Sequence, residues 1–168
     1  MTASAVSPTP GPFELRAIQT EDHAAVRAFL DRLSPSTVRS RYLHSSMKLA
    51  GPSGEREITR LLADHAGKHV VVLAVDGAEI RGIGELFNLP LERADVGLVV
   101  EDGFQGRGIG RDLLQALIQV ARKQGIRALT GDMAYGNERA VALLRGTGRQ
   151  LQLRVGGGGV QFSLLLQA

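Results

Sequence analysis

The chain has 168 residues, 43% hydrophobic and 22% charged, which is enough for one domain with a buried core and too apolar for a disordered chain. It has no cysteine, which excludes disulfides, thiolate nucleophiles and every cysteine-based metal motif. The net charge of +3 suits an anionic ligand, but no basic stripe is interleaved with aromatics and no apolar run reaches membrane-spanning length, so neither nucleic acid nor a membrane is an expected partner.

Residues 1–12, MTASAVSPTPGP, are rich in Pro, Ser and Thr and read as a mobile tail. They lack the basic start and apolar core of a secretory signal, so a soluble, cytoplasmic protein is expected. Residues 13–168 read as a single domain. FELRAI is a first strand, and Thr20 looks like a helix N-cap with Glu21 and Asp22 in the first turn. EDHAAVRAFLDRL then places Ala25, Val26, Phe29, Leu30 and Leu33 on one face at helical spacing. SPSTVRSRYL opens with a Ser cap and a Pro at the first helical position, which predicts a second short helix. LAGPSG is a loop, and EREITRLLADH carries a weaker helical pattern.

HVVVLAVDGAEIRGIGELFNL gives two β-rich runs around Asp76-Gly77, a hairpin signal. ADVGLVV is another strand. A turn with Gly106, Gly108 and Gly110 follows, then a helical run with no breaker until Gly125. RALTGDM is a strand, NERAVALLRGTG a capped helix, and RQLQLRVGGGGVQFSLLLQ two strands about a four-glycine turn. The consecutive central strands predict antiparallel pairing, and the unit from Asp95 to Thr130 predicts a parallel crossover. A mixed α/β sheet follows.

The glycine-rich turn carries the chemistry. Peptide N–H groups at a helix start are unpaired and, with the helix dipole, attract an anion; glycine lets the backbone approach it closely. A nucleotide P-loop fails, because Ile109 and Gly110 stand where it needs Lys and a hydroxyl. A dinucleotide fingerprint fails too, since Arg111 and Leu113 stand where its third Gly or Ala should be. The pattern that fits is Gln/Arg-x-x-Gly-x-Gly/Ala between a strand and a helix, met by Gln105, Gly108 and Gly110. A tight helix entry with no ligand is the alternative.

In this pattern the chain resembles the GNAT superfamily of acyl-CoA-dependent N-acetyltransferases. The strand DVGLVV before the turn, RALTGD after the helix, and Asn137, Ala140, Leu143 and Gly148 beyond it extend the resemblance over about residues 94–149. It implies an α/β fold with a mixed, mostly antiparallel sheet of six to seven strands flanked by about four helices. It implies acetyl-CoA as cosubstrate, its pyrophosphate gripped by Gln105, Gly106, Arg107, Gly108, Ile109, Gly110 and Arg111. The pantetheine arm would pair with the backbone of Leu98, Val99 and Val100, and Asn137 would orient that arm or the next helix start. Leu33-Ser34-Pro35 and Arg41-Tyr42 resemble the opening of bacterial protein lysine acetyltransferases, which slightly favours a protein lysine over a small amine as acceptor. The last strands can pair or swap between chains in this family, which leaves a homodimer open.

An amine attacks a thioester only when neutral, so a base must take its proton. Asp95 is the first candidate: related protein acetyltransferases place a Glu there as Ala-Glu-Val, and this chain has the shorter Ala94-Asp95-Val96. Glu85 in GIGELF is the second, with an outward-facing strand residue as its alternative. Glu101 and Asp102 read as capping or solvent-facing. Many family members carry a Tyr as general acid where this chain has Leu144, and Tyr135 is the nearby phenol. His65 and His69 are four apart across Gly67 and do not make a metal motif; no metal is expected. The departures keep a second reading open, a non-catalytic acyl-CoA sensor, and a third, a fold relic without a CoA site.

Overall fold

The computed structural model describes residues 13–43, 48–63 and 66–166. The N-terminal tail and His65 lie outside the described residues. Strand β1 (Glu14–Ala17) leads through a 3₁₀ turn at Thr20–Asp22 into α1 (His23–Arg32), α2 (Pro35–Tyr42) and α3 (Pro52–Leu62). The antiparallel strands β2 (His69–Asp76), β3 (Glu79–Leu89) and β4 (Arg93–Val100) follow. A 3₁₀ turn at Asp102–Phe104 opens the crossover through α4 (Ile109–Lys123) to β5 (Ala128–Met133); then come α5 (Glu138–Arg145), β6 (Leu151–Gly156) and β7 (Gly159–Leu165).

The sheet order is β1-β2-β3-β4-β5-β7-β6, with β4–β5 as its parallel pair and the other neighbours antiparallel. The element order is the one expected from the sequence, with five α-helices where about four were expected. The added helix is α3, whose apolar pattern is interrupted because Glu57 occupies a core-facing position beside Ile58 and Leu61. Thr20 also does not cap α1. It lies inside the 3₁₀ turn, and the Asp22 carboxylate accepts from the Gln19 N–H at 2.8 Å and from Arg16 at 2.7 Å.

Strand alternation sorts the side chains into two cores. Val71, Leu73, Val75, Ile83 and Val99 pack under α1, α2 and α3. Val72, Ala74, Leu86, Ala94 and Val96 pack under α4 and α5. Helix α4 sits close on β3 because β3 presents glycines to it. A methyl group at Gly82 would lie 2.9 Å from Ile109 Cγ2, and one at Gly84 would lie 3.0 Å from Leu117 Cδ1.

Leu117 is fully buried at this contact. Leu117→Ala is expected to cost about 2–5 kcal/mol in urea unfolding, while Leu153→Ala on exposed β6 should cost under about 0.5 kcal/mol.

Candidate functional site

The parallel pair β4–β5 is in register over Arg93, Ala94 and Asp95 and then parts. On its other side β4 keeps pairing with β3 as far as Val100 opposite Gly82, and the Glu101 N–H donates to Arg81 O at 2.9 Å. In an antiparallel ladder alternate residues direct their backbone groups to one neighbour. Val99 and Gly97 therefore face β3, while Leu98 and Val100 face the gap that β5 has left. Of the three residues expected to offer backbone to a ligand, Val99 is turned the wrong way, and the edge comprises Leu98 and Val100. The gap is the floor of a cleft of about 990 Å³ walled by α2, α4 and α5.

At one end of this cleft stands the α4 N-terminus. Gly106 and Gly108 take positive φ of 76° and 89°, turning the chain so that α4 starts at Ile109. The Asp112 N–H is the first to bond back, to Gly108 O at 3.0 Å, so the N–H groups of Ile109, Gly110 and Arg111 have no partner within the helix. Arg111 lines the cleft beside them, and exposed Arg107 stacks its guanidinium over the Phe104 ring, 4.7 Å from the centroid. This is an anion-binding arrangement, and the dipole of the long α4 reinforces it.

The Gln105 side chain lines the cleft and is held by three elements. Its Nε2 donates to Val100 O at 3.1 Å and to Thr37 Oγ1 at 3.3 Å, and its Oε1 accepts from Arg139 at 2.5 Å. It therefore ties β4, α2 and α5 together around the cleft. Asp102 extends the tie: its carboxylate accepts from the Ser34 N–H at 3.0 Å, Ser34 Oγ at 2.5 Å and Thr37 Oγ1 at 2.8 Å. Burial opposes its ionisation, but these hydrogen bonds outweigh burial and hold Asp102 below the usual carboxylate range. Asn137 caps α5, accepting from the Ala140 N–H at 3.1 Å, and lines the cleft.

At the other end Asp95 lines the cleft with its side chain exposed to it. Surrounding protein raises its pKa, as do the charges of Asp132 and Glu85, against an opposing pull from Arg41. Glu85 is not the outward-facing residue that its strand pattern allowed. It is 7% exposed and pairs with Arg41, with Arg60 at 2.7 Å and with His69 Nε2 at 3.0 Å. Burial opposes its ionisation, yet the His69 and Arg60 hydrogen bonds and the two guanidinium charges hold it well below the usual range. So strongly held a carboxylate is a weak proton acceptor.

The network continues through Glu57, which accepts from Tyr42 Oη at 2.8 Å and Arg60 at 2.6 Å. Burial, and then Glu57, push the Tyr42 phenol well above its usual pKa although it lines the cleft. Leu144 on α5 is buried and lines the cleft with an apolar side chain, and Tyr135 is 55% exposed and does not line the cleft. Sequence reasoning did not place Asp132, Arg60 or Arg139 at the site; each lies on an element far from the turn motif in sequence or carries no pattern of its own.

The low pKa of Glu85 sets a stability signature. Folding lowers its proton affinity, so its contribution is present above the unfolded value of about 4.3 and is lost as pH falls from about 5 toward the folded value. Glu85→Gln should cost on the order of 3 kcal/mol at neutral pH and flatten the loss of stability between about pH 5 and pH 3, measured by urea unfolding at each pH.

Comparison with known proteins agrees with this geometry. Residues 24–148 match the Acetyltransferase (GNAT) family. An acetyltransferase of Pseudomonas aeruginosa is 29% identical over 118 residues, which is 68% of this chain and 62% of that protein, so the chain spans less than two thirds of that relative's length. The GNAT domain of S. lividans PAT superposes with a TM-score of 0.79 at 20% identity, covering 91% of this chain and 90% of that one. The yncA protein of Salmonella typhimurium, solved with its cofactor acetyl-CoA, gives a TM-score of 0.67 at 17% identity over 92% of this chain and 93% of that one. At such identities the structural likenesses establish the fold. The family match spans both cores, the parted strands and the glycine turn, and on that ground this chain belongs to the Acetyltransferase (GNAT) family.

Proposed function

We propose that this chain is an acetyl-CoA-dependent N-acetyltransferase that passes an acetyl group directly to a primary amine. The observation that carries the reading is the single cleft joining the α4 N-terminus at one end to Asp95 at the other. The α4 amides with Arg107 and Arg111 suit a pyrophosphate, and the strand edge at Leu98 and Val100 suits an extended, amide-bearing arm. The presence of acetyl-CoA in the Salmonella typhimurium structure supports the same choice of ligand. Acetyl-CoA supplies the thioester-activated acetyl group.

Within this reading Asp95 takes the proton of the incoming ammonium group and leaves a neutral, nucleophilic amine. The backbone N–H of Leu98, the one nearer Asp95, donates to the carbonyl oxygen as it gains charge, and Val100 is left for the extended arm. With no cysteine for a thiolate acyl-enzyme, direct transfer is the simpler course. The thiolate leaves unassisted, as its modest pKa allows, since the phenol of Tyr42 in the cleft wall is engaged by Glu57. A protein lysine is favoured over a small amine, because the acceptor end is open to solvent at Asp95 and Asp132. The cytoplasm is the setting we favour, and the exposed Leu153 and Val155 on edge strand β6 support pairing of two copies.

The buried Leu144 in place of a phenol favours one rival, a module that binds acyl-CoA without turnover. Release of free thiol from acetyl-CoA, measured against lysine-containing peptides and small amines, separates the two. Asp95→Asn is expected to bind acetyl-CoA within about threefold of wild type while transfer falls by about 10²–10⁴. Unchanged transfer would remove Asp95 as the base, and binding without release on every amine would leave the sensor.

A further inference from the structure

Arg41 occupies a position that the reaction scheme above leaves without a role. It lies in the last turn of α2, lines the cleft, and lays its guanidinium against the β4 backbone at Gly97. A methyl group at Gly97 would sit 2.5 Å from Arg41 Nη2 and 2.6 Å from Cζ, so the missing side chain at this residue is what admits the guanidinium. Glu85 is the cross-strand partner of Gly97 and forms an ion pair with Arg41 at the same spot. Asp95 is two residues back on the same face of β4, about 7 Å along the strand.

We propose that Arg41 is a positioning residue of the transfer reaction: clamped over Gly97 by Glu85, it fixes a cation beside Asp95 and keeps that carboxylate able to accept a proton. The inference rests on the reading of Asp95 as base. It also gives Glu85 a part in the site, as the clamp on Arg41 rather than as the base itself. Asp95 faces Arg41 from α2, Glu85 from β3 and Asp132 from β5. The two carboxylates and the surrounding protein favour a protonated Asp95, and Arg41 is the cation of the set that opposes them. The Glu85 charge is shared with Arg60 and His69, so Arg41 is not fully neutralised by its clamp.

The test is a carboxyl titration of Asp95 by NMR in protein carrying ¹³C-labelled aspartate, with no acceptor needed. Arg41→Gln should move the Asp95 midpoint upward by about half a pH unit or more, and Arg41→Lys should move it less. Gly97→Ala leaves every charge in place but displaces the guanidinium, and should move the midpoint in the same direction as Arg41→Gln. An Asp95 midpoint that stays put in Arg41→Gln and Gly97→Ala, each with a native amide spectrum, would overturn the proposal. If one of these two variants does not fold, the other decides it by the same criterion. Transfer that persists in Asp95→Asn would instead overturn the base assignment, leaving the titration result standing.

Discussion

Strands β4 and β5 are in register from Arg93 to Asp95 and then part, and the arrangement of the cleft depends on that parting. A parallel pair that stayed together to Val100 would satisfy the backbone of Leu98 and Val100 and close the floor of the cleft. Because β5 turns away, a strand edge is left inside the molecule, where unpaired peptide groups are costly unless something supplies the missing partner. The same parting sets Asp95 at the last joined position, where the edge begins. The α4 N-terminus lies at the far end of β4, one short 3₁₀ turn away. The open strand edge and the position of Asp95 beside it thus follow from one break in the sheet, and the α4 N-terminus follows from the glycine turn that continues β4.

The wall opposite α4 is α2, and it is held at both ends by carboxylates. Asp102 takes the first turn through Ser34 and Thr37, and Glu85 takes the last turn through Arg41, with Glu57 holding Tyr42 beside it. Buried ion pairs are an uncertain source of stability, since desolvation offsets most of their attraction. Their clearer effect here is geometric. They fix a helix that has few apolar residues of its own, Val38 being its buried one, against the sheet at the height of Asp95. The polar composition of α2 is therefore compatible with a fixed position, because the fixation is electrostatic.

Much of this architecture was legible in the sequence, for physical reasons. Strand and helix order followed from apolar spacing, and the α4 entry followed from Gly106 and Gly108, which hold the positive φ angles the turn needs. What was hidden depends on tertiary pairing. Glu57 on the core face of α3 left only a weaker helical pattern in the sequence, and its burial follows from Tyr42 and Arg60 beside it. Glu85 on a strand could face either way, and its partners come from α2, α3 and β2. The Gln105 side chain belonged to a recognised motif, yet its role as a tie to Thr37 and Arg139 required elements that the motif does not contain. Likewise the wrong-way backbone of Val99 is a matter of ladder parity, which a strand pattern alone does not reveal.

The central claim is that the cleft from the α4 N-terminus to Asp95 holds acetyl-CoA. Calorimetric titration of acetyl-CoA into the purified chain and into Gly108→Trp tests it most directly, with circular dichroism confirming that both are folded. Gly108 sits at a positive φ of 89° at the head of α4, so a bulky side chain there both strains the turn and fills the anion site. Binding with a Kd of about 10⁻⁶–10⁻⁵ M, weakened at least about tenfold in Gly108→Trp, is the predicted result. A folded wild-type chain that binds no acetyl-CoA, or a Gly108→Trp variant that binds it equally well, would contradict the account.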